Sequence, residues 1–119
     1  MSFMSRLPIE GQQPVLPLPE REPAAIRAAV ARLDPSALAR FEADWTAATA
    51  RARDEYSLLP ARYFVEHWFS WVAVARWPEL AARLRACERI VAESPDRAER
   101  RDAAAEMSQI LRQAETATA

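Results

Sequence analysis

Residues 60–78 read PARYFVEHWFSWVAVARWP, and this stretch decides the fold. On a helix, Phe64, Val65, Trp68, Phe69, Trp71, Val72 and Ala75 surround most of the axis. Only a narrow polar strip through Glu66, His67 and Ser70 is left. A helix that is apolar nearly all round belongs at the centre of a bundle or in a membrane. The most apolar part, Tyr63 to Ala75, is 13 residues long and carries Glu66, His67 and Ser70, whereas a bilayer span needs about 20 apolar residues. The stretch therefore reads as a buried helix from Pro60 to about Arg76, ended by Trp77-Pro78 because a residue before proline avoids the helical region.

Working outward, the other prolines repeat that punctuation. Proline is tolerated in the first helical turn, where its missing N–H has no partner to lose. Pro23 opens a short helix with Ile26, Val30 and Leu33 on one side. Asp34-Pro35 pairs a capping residue with a first-turn proline. The helix it opens runs to about Tyr56, with a stripe of Leu38, Phe41, Trp45, Ala48, Ala52 and Tyr56. Pro78 starts a fourth helix to about Ala92, burying Leu80, Leu84, Cys87 and Val91. Ser94-Pro95 starts a fifth to about Glu115, using Met107, Ile110, Leu111 and Ala114. No repeat period is sustained, so a solenoid is not expected.

Composition agrees with the pattern. The 119 residues include 26 Ala but one Gly, and hairpins, bulges and phosphate loops all need glycine. The expected fold is all-α: a compact bundle of four to five helices over residues 23–119, preceded by an extended Pro-rich arm over residues 1–22. In that arm Pro8, Pro14, Pro17 and Pro19 sit among Ile9, Val15, Leu16 and Leu18. Such spacing favours extended backbone, and Val15, Leu16 and Leu18 make it too apolar for a merely solvating tail. It reads as a strap that docks on its own body or on a partner.

All 16 basic residues are Arg, and 17 acids leave a net charge of −1, so no bulk positive field attracts nucleic acid or an anionic membrane. The absence of Lys fits a GC-rich coding bias. One Cys excludes an internal disulfide framework and a Cys-based zinc site. No basic segment followed by an apolar stretch marks a signal peptide, so the expected location is cytoplasmic, without membrane attachment.

Few residues invite chemistry. Glu66 and His67 are neighbours, hence about 100° apart on a helix, and Ser70 is within reach of either. No second His completes a metal site and no Gly-x-Ser-x-Gly elbow is present. Neither catalytic residue, metal nor cofactor is expected. The aromatic surplus is more informative: all four Trp, both Tyr and three of the four Phe lie between Phe41 and Trp77. Trp45, Phe64 and Trp68 suit a core, but Phe69, Trp71 and Trp77 cannot all face inward from one small bundle. With Val15, Leu16 and Leu18, they are the candidate partner-binding residues, since Trp is enriched at interface hot spots. A possible homodimer would use Trp71 or Trp77. Arg83, Arg85 and Arg89 are the candidate contacts for the alternative of a dimeric DNA-binding regulator. A ligand pocket near Tyr56, Glu66, His67 and Trp71 is the third alternative.

Tyr56-Ser57-Leu58-Leu59-Pro60 followed by Glu66-His67-Trp68-Phe69 resembles a family of short, uncharacterised actinobacterial helical proteins with a Tyr-x-Leu-x-Pro, then Glu-x-Trp-Trp, pattern. Pro23 to Ala29 and Phe41 to Trp45 extend the likeness, which covers about Pro23 to Ala92. Phe69 stands where that pattern has a second Trp, and Ser70 where it often has Arg or His. Members are often encoded beside RelE/ParE-type toxins, so the resemblance implies an antitoxin-like, non-enzymatic protein that occludes a toxin partner. The arm or an aromatic face would do so with help from acids such as Glu20, Glu22 and Asp44. No catalytic residues come with the resemblance.

Overall fold

A computed structural model describes residues 12–117. The start of the arm, including Pro8, Ile9 and Gly11, lies outside the described residues. The fold is all-α, with five α-helices and no strand among the described residues: α1 (Pro23–Leu33), α2 (Leu38–Glu55), α3 (Leu59–Ala75), α4 (Pro78–Glu93) and α5 (Arg97–Thr116). Two contact-defined units share the chain, Leu18–Val72 and Ala73–Ala119, the second together with the segment that ends at Pro17.

In the first unit, the Glu22 side chain accepts a hydrogen bond from the Ala25 N–H at 2.9 Å, capping α1 ahead of Pro23. Asp34 ends α1 and in turn caps a single 3-10 turn, Pro35–Ala37, that leads into α2. Ile26, Ala29 and Val30 form the buried face of α1. The core of this unit is aromatic. Phe41 meets Phe64 edge-on with centroids 4.9 Å apart, and Trp68 likewise at 5.2 Å. Trp45 packs on Phe64 at 4.9 Å. Trp68 has no solvent exposure, so its indole N–H needs an acceptor; Asp44 provides it at 3.1 Å. That bond ties α2 to α3.

In the second unit, α4 and α5 pack together, and Leu80 and Cys87 on α4 and Ala103, Ile110 and Ala114 on α5 are buried. Arg83 on α4 donates to Glu106 on α5. Burial raises the Cys87 thiol pKa, and the nearby Glu106 carboxylate pushes it the same way. The arm docks on its own chain. The Val15 N–H donates to the Arg76 carbonyl at 2.8 Å, and Leu16 is buried. Arg76 itself has no solvent exposure. Its guanidinium donates to the Leu16 carbonyl at 3.3 Å and to the Ala117 carbonyl at 2.9 Å, so one side chain holds the arm and the end of α5.

Three local expectations are corrected. Pro95 does not open α5: the helix begins two residues later, with Asp96 as its cap and the Asp96 side chain accepting from Ala98 N–H at 2.9 Å. Ser94 instead accepts from the Asp96 N–H. Tyr56 is not on the buried stripe of α2 but caps it in a left-handed conformation, 96% exposed. Val91 is 39% exposed rather than buried.

Candidate partner-docking surface

The six candidate partner residues separate sharply. Phe69 and Trp77 are 2% and 1% exposed, and Leu16 is buried too. A side chain already enclosed by its own chain offers little area to a partner, so these three are corrected from surface to core. Phe69 has the Arg21 guanidinium stacked 4.0 Å from its ring centroid. Trp71 is half-buried and packs on Trp68 at 5.4 Å. Leu18 is half-buried and Val15 stays exposed.

The surplus apolar surface lies elsewhere, at the junction of α2 and α3. Tyr56 is followed by Leu58 at 77% exposure, Leu59 at 49% and Tyr63 at 66%. The local sequence makes this junction. The Tyr56 N–H bonds back to Ala52 and Arg53 carbonyls, and the Ser57 N–H reaches Ala52 O at 3.1 Å. This is the Schellman closure, whose left-handed residue is usually Gly. The Ser57 hydroxyl then accepts from the Leu59 N–H at 3.1 Å, turning the chain into α3 while Pro60 is buried. The turn therefore places its two leucines outside.

Two hollows flank these residues. An open groove of about 710 Å³ is lined by Trp45, Leu58, Leu59, Arg62, Tyr63 and Glu66, among others. A smaller one of about 300 Å³ involves Ala52, Arg53, Tyr56, Ser57 and Leu58. Leu58 belongs to both, so they form one surface. Within the groove, Glu66 is held by Arg21 at 2.5 Å, an exposed pair that contributes about 0.2–1 kcal/mol.

Of the residues named for a ligand pocket, Glu66 lines the groove and Tyr56 the smaller hollow, while His67 and Trp71 line neither of these two. Among the described residues, no group of three or more His, Cys, Asp or Glu could hold a metal ion. No helix there is long and apolar enough to cross a membrane. Arg85 and Arg89 are exposed, but Arg83 is engaged by Glu106. Of the acids expected to face a partner, Glu22 caps α1 and Asp44 holds Trp68, while Glu20 is exposed. Apolar periodicity does not mark the exposed junction. Its sequence signal is a Leu-Leu pair, Leu58-Leu59, between two helices and out of phase with both stripes.

A family model described as a family of unknown function, DUF6247, matches residues 14–115, and the chain belongs to that family. No curated protein and no solved structure matched the chain.

Proposed function

We propose that this member of the DUF6247 family is a non-enzymatic protein-binding module, antitoxin-like, that neutralises a RelE/ParE-type toxin by occlusion. One observation supports the docking role above others: Tyr56, Leu58, Leu59 and Tyr63 stand exposed together around an apolar groove. Contiguous apolar surface of this kind marks interaction sites on soluble proteins, and tyrosine is enriched at interface hot spots. The same four residues fall in or beside the run that carries the likeness to toxin-associated proteins. The choice of a toxin as the partner rests on that likeness alone.

The test is co-expression with a RelE/ParE-type protein encoded beside this gene. The expected result is co-purification and rescue of growth, both lost in Leu58→Asp and Tyr63→Asp, which retain wild-type circular dichroism. A neighbour of another kind, or one that purifies apart and still arrests growth, overturns the toxin reading.

A further inference from the structure

We infer that the groove at the α2–α3 junction recognises an amphipathic peptide segment of a partner protein, with carboxylates placed beside its apolar anchors. This rests on the docking role proposed for the same surface and adds the chemistry of what docks.

The argument is one of charge left over. Of the charged side chains lining the two hollows, Arg21 and Glu66 satisfy each other at 2.5 Å. Arg62 in the groove and Arg53 in the adjoining hollow are in no ion pair among the described residues. On the neighbouring helix surface Glu55 is engaged by Arg51 at 3.0 Å, and Asp54 lines neither hollow. The walls are otherwise apolar, with Trp45, Leu58, Leu59 and Tyr63 as their largest members. A surface with apolar walls and two unpaired guanidinium groups is complementary to Leu, Phe or Trp anchors flanked by Asp or Glu, because guanidinium–carboxylate bonds are bidentate and charge-assisted.

A second copy of the chain fits less well. A twofold interface must be self-complementary, and with Glu66 already held by Arg21 the charges this patch has left to offer itself are both cations. Single-stranded RNA would also meet tyrosines and arginines, but exposed Leu58 and Leu59 supply aliphatic area that bases do not need. The occupant is therefore a peptide.

A display library of random 12-residue peptides, selected on the immobilised full chain, tests this. The expected selectants combine apolar anchors with Asp or Glu, and their binding is lost in Leu58→Asp and Tyr63→Asp. Reversal in Arg62→Glu or Arg53→Glu should weaken binding about tenfold, and Glu-to-Lys peptides should recover it against the reversed variants. Selectants that need Leu58 and Tyr63 but are neutral, basic or indifferent to both arginines overturn the charge inference and leave the docking role standing. Absence of any selectant dependent on Leu58 or Tyr63 overturns both. Tighter binding of an oligouridylate at the patch, or a dimer that Tyr63→Asp separates, overturns the peptide as occupant.

Discussion

Tyr56 combines two features that a fold alone does not favour. Its backbone is left-handed, with φ 51° and ψ 46°, a conformation that costs a non-glycine residue about 1–2 kcal/mol. Its side chain is 96% exposed, so burial returns nothing in exchange. Glycine would close the same helix end without the Cβ conflict. The Tyr56→Gly variant is therefore expected to be more stable, by about 0.5–1 kcal/mol once the extra freedom of its unfolded chain is deducted. It should also capture less partner in the co-purification assay. Urea denaturation with matched m-values checks the first half. A destabilised Tyr56→Gly would mean that the ring supports the junction, and would remove the main residue-scale argument for a docking role.

At the scale of elements, the sequence was legible where a side chain or ring fixes the backbone by itself. Pro23, Pro60 and Pro78 lie in the first turns of α1, α3 and α4, because the pyrrolidine ring sets φ regardless of context. Ser94-Pro95 marks the approach to α5 but not its first residue: the Ser94 hydroxyl and the Asp96 carboxylate each accept from an N–H two residues on, and only the bond to the Ala98 N–H lies on the helix itself, which spacing does not encode. Periodicity found the Phe41, Phe64 and Trp68 core but carried Tyr56 one residue too far along its stripe. Burial of Phe69 and Trp77 was not legible either, since a stripe count cannot tell how much of a helix its neighbours cover. The prolines and apolar residues of the arm mark a strap but not where it docks, and its dock turns on one buried residue. Arg76 donates to the Leu16 carbonyl, and a hydrogen bond from a charged group contributes about 1.5–3 kcal/mol. Replacing it by Met keeps the length but removes the donor. The Val15 amide, which bonds to the Arg76 carbonyl, then reports the arm: its hydrogen exchange should accelerate by roughly tenfold or more, the ratio that about 1.4 kcal/mol gives. Unchanged Val15 protection in Arg76→Met would show that Leu16 burial alone holds the arm.

On the whole-molecule scale, the question is whether scattered arginines add up to a nucleic-acid surface. The sixteen Arg face seventeen acids, and the ion pairs among the described residues engage several of them: Arg21 with Glu66, Arg27 with Glu42, Arg51 with Glu55, Arg83 with Glu106 and Arg101 with Asp102. On α4 this leaves Arg85 and Arg89 exposed of the three residues that a DNA-reading α4 would use. Each phosphate neutralised contributes about −0.9 to the slope of log K against log salt. Two contacts per chain thus give a slope near −2, against the six to ten contacts behind typical site-specific binding. Fluorescence anisotropy with a duplex from the gene's own promoter, at 50 and 200 mM salt, should show no saturable binding in the nanomolar range at either. Triple reversal of Arg83, Arg85 and Arg89 to Glu should change nothing in that assay. A saturable, steeply salt-dependent isotherm that the triple variant abolishes would instead make α4 a DNA-reading helix, and the regulator would replace the protein-binding module as the better account of the chain.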